Sequence, residues 1–269
     1  MASALGRVTP TLAAVSVRWL TTFIDRPAAT FDDAADFWQA VTGATRSSAR
    51  GAHGEFATLV PSEGDAHLRV QRVDDGPGGT HLDLHTDDKA RMVREALDLG
   101  ATQVDQAPVS ILRSPSGYVW CAVDWGGEAT PSTPHAGPSG VRSRLDQVCL
   151  DIAPAHFDVE VEFWAQLLGW PVTRSTVRPE FASVARPDGM PMRLLFQRLD
   201  DGDGPTTGHL DVAAGEAVDE VVADHVAAGA EVETREWLWT VLRDPSGHRY
   251  CVTRRDPIAG TVLHLPPPA

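Results

Sequence analysis

The sequence predicts an α+β protein made of two tandem copies of one unit, each with the element order βαβββ-βαβββ. Three observations predict it. The helix-like word "DFWQAVTG" (Asp36–Gly43) recurs as "EFWAQLLG" (Glu162–Gly169), 126 residues on. "HLD" at His81 recurs at His209, 128 residues on. "SPSGYVWC", ending at Cys121, recurs as "DPSGHRYC", ending at Cys251, 130 residues on. Landmarks that keep their order and nearly their spacing mark a duplication.

Each copy opens on a run rich in β-branched residues, "LAAVSVRW" or "LDQVCLDI", which reads as a strand. A helix follows ("DDAADFWQAVTG" or "DVEVEFWAQLLG"), closed by a glycine suited to the C′ position. Strands come next: "EFATLV" and "HLRVQRV" in the first copy, "FASVA" and "MRLLFQRL" in the second. "HLDLH" or "HLDV" begins the second half, and a second helix, "DKARMVREALDLG" or "AVDEVVADHVAAG", follows it. Two strands then flank "SPSG" or "DPSG", where Pro at i+1 and Gly at i+3 suit a type I turn. Between the copies lies "GGEATPSTPHAGPSG", with a linker composition. The expected division is 10–126, a linker at 127–143, 144–257, and a tail at 258–269 whose "PPPA" end reads as frayed.

The 269 residues suffice for two cores, and 42% hydrophobic with 22% charged residues is a globular composition. With 23 basic and 37 acidic side chains the net charge is −14, which repels polyanions and argues against nucleic acid as a partner. Three cysteines, Cys121, Cys149 and Cys251, without a framework spacing argue for a reducing compartment. No signal-peptide pattern or membrane-length apolar run is visible, so the expected location is the cytoplasm. HExxH, Walker A, strand–GxGxxG–helix and GxSxG patterns are missing, which removes nucleotide hydrolysis and serine hydrolase chemistry from consideration.

The element order, "EFWAQLLGW", "HLDL", "FQR" and "DPSGHRYC" together resemble the vicinal oxygen chelate superfamily, over about residues 12–125 and 145–256. That superfamily includes glyoxalase I, extradiol dioxygenases and the bleomycin- and fosfomycin-resistance proteins, and the glyoxalase-like branch resembles this chain most. The resemblance implies that each copy pairs two βαβββ modules into a curved mixed sheet around a cup for a small molecule. It also implies a divalent ion (Fe, Mn, Ni or Zn) held by His, His and Glu from three strands. At those positions the second copy has Gln147 in "LDQV", His209 and Cys251, and the first has Ala14 in "LAAV", His81 and Cys121. Neither is the usual donor set, so no metal cofactor is assigned, and Gln147, His209 and Cys251 remain the candidate metal positions.

Alternate strand residues share a face. If His209 faces the cup, so do Asp211 and, across the sheet, Gln147, Cys149, Cys251, Arg249 and Thr253. If His81 does, so do Asp83, His85 and Cys121, with Ser16 and Arg18 on the first strand. Gln71 and Gln197 take equivalent places on another strand. Trp239, with Trp237 on the same face, offers an apolar wall for a planar ligand.

Each assignment has a plainer alternative. The histidines serve equally as hydrogen-bonded strand residues, with His85 simply solvated, and Asp211 as an ion-pair partner of Arg249. The cysteines serve as small buried hydrophobes, or Cys149, His209 and Cys251 as a soft zinc site.

Two functions follow. The first is a resistance-type protein that binds or sequesters a small organic metabolite without the usual metal. The second is a lyase, isomerase or extradiol-type dioxygenase using a divalent metal, or a His209–Asp211 acid/base pair, in the C-terminal cup. The expected assembly is a monomer or a homodimer.

Overall fold

The computed structural model describes residues 16–105 and 109–261, and the predicted order βαβββ occurs four times within them. The first copy comprises β1 (Val17–Pro27), α1 (Phe31–Thr42), β2 (Thr45–Arg46), β3 (Phe56–Val60) and β4 (Leu68–Val73), then β5 (Gly79–Thr86), α2 (Lys89–Asp98), β6 (Thr102–Asp105), β7 (Ser110–Arg113) and β8 (Val119–Asp124). After a short connecting strand, β9 (His135–Ala136), the second copy repeats the pattern. It has β10 (Arg142–Ile152), α3 (Phe157–Leu168), β11 (Val172–Arg174), β12 (Phe181–Val184) and β13 (Arg193–Arg198), then β14 (Thr207–Ala213), α4 (Val218–Ala227), β15 (Glu231–Arg235), β16 (Trp239–Arg243) and β17 (Arg249–Thr253).

Each copy forms one mixed sheet. The strand orders are β2-β3-β4-β1-β5-β8-β7-β6 and β11-β12-β13-β10-β14-β17-β16-β15, joined at the centre by the antiparallel pairs β1–β5 and β10–β14. α1 buries Phe31, Ala34, Ala35 and Trp38, an i, i+3, i+4, i+7 stripe, and ends on Gly43 in the left-handed region (φ 64°). α3 repeats this with Phe157, Glu160, Val161 and Trp164 and ends on Gly169 (φ 66°).

The first strand departs from expectation. Its described part runs from Val17, and the "LAAV" stretch with Ala14 lies outside the described residues, as does the "PPPA" tail. Register places Thr21 opposite Asp83, as Gln147 is opposite Asp211, so Thr21 is the counterpart of Gln147. The connecting segment is docked rather than loose. Asp65 accepts the N–H groups of Ala129 (2.8 Å) and Thr130 (2.9 Å), and β9 pairs with β10.

The two copies interlock. Trp38 of α1 packs on Tyr250 of β17 (5.1 Å between rings), and Trp164 of α3 packs on Trp120 of β8 (5.9 Å). The first helix of each copy therefore covers the last strand of the other, and one apolar core runs through both. The indole N–H of each of the two helix tryptophans, Trp38 and Trp164, is taken by a buried carboxylate. Trp38 donates to Asp244 (3.0 Å), which also receives Arg26 (2.6 Å), and Trp164 donates to Glu160 (2.8 Å), which also receives Ser116. Where the sheets meet, a Cβ at Gly208 would lie 2.7 Å from Thr80 Oγ1 and 3.0 Å from the Tyr118 ring. Gly208→Val is expected to cost about 1–3 kcal/mol through overpacking, measured by urea unfolding. Unchanged stability would show that the sheets can part there without cost.

Candidate functional site

The C-terminal sheet is curved strongly enough to bring its rims together. Phe181 on β12 and Trp239 on β16 are five strand spacings apart, about 24 Å on a flat sheet. Their rings nevertheless meet edge to face at 5.8 Å, with the Arg178 guanidinium over the Trp239 ring at 5.0 Å. The hollow beneath has a volume of about 610 Å³. Of the residues singled out in the sequence, Gln147, Cys149, Gln197, His209, Asp211, Trp237, Trp239, Cys251 and Thr253 line it.

Arg249 does not line it. Although its neighbour Tyr250 is paired with Leu210, the long Arg249 side chain leaves the cup and forms an exposed bidentate pair with Glu233 on β15, so it is not the partner of Asp211. The partner is Gln147, whose Nε2 donates to Asp211 Oδ2.

The polar centre of the cup is His209. Its Nδ1 bonds Asp151 Oδ2 at 2.7 Å, and its Nε2 lies 3.4 Å from Asp211 Oδ1 and 3.6 Å from Cys251 Sγ. Burial works against the imidazolium, but Cys149, Asp151 and Cys251 outweigh it and hold the His209 pKa well above its ordinary value. Burial pushes the Cys251 thiol up, partly opposed by His209. Asp211 Oδ1 is buried and makes no hydrogen bond among the described residues.

The first copy has the same centre, with Phe23 and Arg69 placed beside it. His81 Nδ1 bonds Asp25 Oδ2 at 2.6 Å, and Nε2 stands 4.0 Å from Asp83 Oδ1, with Cys121 beside Asp83. Burial opposes the His81 charge and Asp25 favours it, with a net rise in pKa. Cys149 in the second cup corresponds to Phe23 here, which stacks on His81 at 4.3 Å. Leu195 corresponds to Arg69, which reaches Asp83 at 3.5 Å and lies over Phe23. His85 is buried rather than solvated. It bonds Thr21 Oγ1 at 2.9 Å and lies 3.7 Å from Glu128 of the connecting segment. Ser16 and Arg18 are exposed at the start of the first sheet, where Arg18 pairs with Asp87, and Gln71 lies opposite Asp25.

Asp25 and Asp151 are absent from the sequence-derived set. The signal for them was present, because Asp151 follows Gln147 and Cys149 on one strand face and Asp25 lies 126 residues before it. Thr21 was hidden by the misplaced first strand. Phe181, Arg193 and Arg255, which also line the cavity, carried no motif.

The metal that the resemblance implies can be tested against these donors. Gln147 is committed to Asp211, so the convergent atoms are His209 Nε2, Asp211 Oδ1 and Cys251 Sγ, all within 4.8 Å of one another. Bonds of about 2.0–2.3 Å to a tetrahedral ion place donors roughly 3.3–3.7 Å apart. The 3.4 and 3.6 Å separations and the unbonded Asp211 oxygen fit that, and Asp151 on Nδ1 is the carboxylate that commonly orients a ligating histidine. A second trio, Cys149, Asp151 and His209, also converges, although Cys149 Sγ faces Gln197 Oε1 at 3.8 Å.

No helix among the described residues is long and apolar enough to cross a membrane. No curated protein matches the sequence. Solved structures share the fold at low identity. The Mn(II)-bound glyoxalase from Novosphingobium aromaticivorans is 16% identical, with TM-score 0.58 over 89% of this chain and 82% of that one. The 2,3-dioxygenase LapB from Pseudomonas sp. KL28 is 15% identical, with TM-score 0.60 over 90% and 93%. A xylose isomerase-like TIM barrel/4-hydroxyphenylpyruvate dioxygenase fusion protein is 11% identical, with TM-score 0.57 over 89% of this chain, which spans 48% of the fusion. The glyoxalase-like domain model matches residues 21–123 and again 147–253, the two sheets described above. The chain therefore belongs to the glyoxalase-like domain family, with the vicinal oxygen chelate fold present in tandem.

Proposed function

We propose that the C-terminal cup binds a small organic molecule with a planar or apolar body, and that the N-terminal copy is its structural buttress. The observation that carries this is the contrast between the cups. One has a hollow of about 610 Å³ walled by Phe181, Leu195, Trp237 and Trp239, whereas Phe23 and Arg69 occupy the corresponding centre of the other. Sequestration needs only such a shape, aromatic walls and a few polar anchors. His209, held by Asp151 and raised in pKa, presents Nε2 beside Asp211 as the anchor for a ligand oxygen.

A second reading is favoured by the donor separations at His209, Asp211 and Cys251. It is a lyase, isomerase or extradiol-type dioxygenase, in which those three side chains hold a divalent ion and Asp151 fixes the His209 ring. A bound ion would supply Lewis acidity toward vicinal ligand oxygens. The mixed N, O and S set suits Zn best among Fe, Mn, Ni and Zn. Without an ion, the His209–Asp211 pair can move a proton at Nε2.

Metal analysis of protein purified without a chelating tag separates the readings. Metal-free protein whose tryptophan fluorescence is saturably quenched by a nitroaromatic probe is the expected result. Stoichiometric metal that is lost in Asp211→Asn would overturn the metal-free reading in favour of the enzyme.

A further inference from the structure

One end of the C-terminal cup concentrates positive charge in a strongly acidic protein. Arg144, Arg186, Arg193 and Arg255 surround a single buried carboxylate, Asp146, the extra residue of a β-bulge between Leu145 and Gln147. Asp146 meets Arg255 Nη2 at 2.7 Å and Arg186 Nη2 at 3.9 Å. Arg193 donates to Gly260 O, and Arg186 to Pro191 O at 2.9 Å. Among the described residues, even with Asp211 counted, which lies near Arg193, four cations face two anions.

The cluster also holds buried polar atoms that make no aligned hydrogen bond among the described residues, Asp146 Oδ1 and Oδ2 among them. Arg255 is 4% exposed and lines the cavity, yet Nε, Nη1 and Nη2 make no aligned hydrogen bond among the described residues, and neither do Arg144 Nε and Nη2. A buried guanidinium with unmet N–H groups is costly unless an oxyanion completes it. Burial, followed by repulsion from Arg255, lowers the Arg193 pKa, with Asp146 and Asp211 opposing it. The first sheet has no counterpart of Asp146: by register Leu20, opposite Leu84, matches Leu145, opposite Val212, and its own bulge falls between Val17 and Trp19.

We propose that Arg193 and Arg255 form an oxyanion subsite, and that the ligand of this cup is a carboxylate on an aromatic or planar apolar body. The carboxylate would lie at the arginine end and the ring along the Leu195, Phe181 and Trp239 wall. Paired guanidinium forks match a planar two-oxygen anion, and the aromatic wall selects the rest of the molecule. This rests on the reading of the C-terminal cup as a ligand site.

The test uses the full chain with 4-nitrobenzoate and its neutral isostere 4-nitrobenzamide, titrated by tryptophan quenching and by calorimetry. The acid is expected to bind at least tenfold more tightly than the amide, with the preference shrinking as salt rises. In Arg193→Gln, which leaves the Arg255–Asp146 pair intact, the preference should fall below threefold while amide binding is kept. Circular dichroism and the urea midpoint establish that the variant is folded. 4-Nitrophenyl phosphate, run alongside, is expected to bind more weakly than the benzoate, and tighter binding of the phosphate would overturn the carboxylate assignment. Equal affinity for acid and amide in the wild-type protein would overturn the oxyanion subsite but leave the cup reading standing. Failure of both probes to bind would overturn the cup reading and this subsite together.

Discussion

Replacing Asp244 with alanine is expected to destabilise the protein by about 3–5 kcal/mol, the usual cost of breaking a buried ion pair by removing one partner. The Asp244 and Arg26 side chains are 0% and 3% exposed. Oδ2 accepts from Arg26 Nε, Arg26 Nη2 and Trp38 Nε1, and Oδ1 accepts from the Ser246 and His248 amides. Although burial pushes the Asp244 carboxyl up, Arg26, Ser246 and Trp38 hold it below its usual range. The alanine variant strands a guanidinium and an indole N–H between the two copies. The loss should appear as a lower urea midpoint at an unchanged m-value. Glu160→Ala serves as the internal control. It sits at the mirrored tryptophan but pairs with no arginine among the described residues, so its cost should be nearer to about 1–3 kcal/mol. Equal costs for the two variants would show that the Arg26 charge contributes nothing to Asp244.

Mild acid is expected to weaken the fold well above the carboxylate range. His67 and His225 are buried, and burial lowers each from 6.5 to about 4. His67 Nε2 contacts Leu145 O of the other copy at 3.2 Å, and His225 Nδ1 contacts the Tyr250 hydroxyl at 3.0 Å. The unfolded imidazoles protonate near 6.5 and the folded ones only near 4, so unfolding takes up protons between those values. Their contribution is complete above pH 6.5 and is lost as pH falls toward 4, about 3 kcal/mol for each. His81 and His209 have raised values, so their contribution is already complete below 6.5 and does not shape this window. Asp83, raised by burial, opposes the trend. Urea midpoints should fall as pH drops from 6.5 toward 4, and His67→Gln and His225→Gln should each flatten that slope. A level profile across that range would remove these two histidines as its cause.

The duplication, the four modules and the helix ends were legible in the sequence because each is written in local words: an aromatic pair on a helix, a glycine past its end, a Pro-Ser-Gly turn. The first strand was not, because two β-branched runs overlap at Val15–Trp19 and only pairing with β4 and β5 decides between them. Most of the cup lining followed from strand alternation. Arg249 did not, since alternation fixes the direction of a Cβ and not the far end of a long side chain. The arginine cluster was invisible for another reason. Arg144, Arg186, Arg193 and Arg255 span more than a hundred residues and share no motif, and only the sheet order brings them together.

The exchange of helix partners between the copies also constrains how this gene could have diverged. With α1 seated on β17 and α3 on β8, neither half has a complete interior by itself. Removing either copy would take from the other the aromatic packing that closes its interior, so the two copies are expected to be retained together.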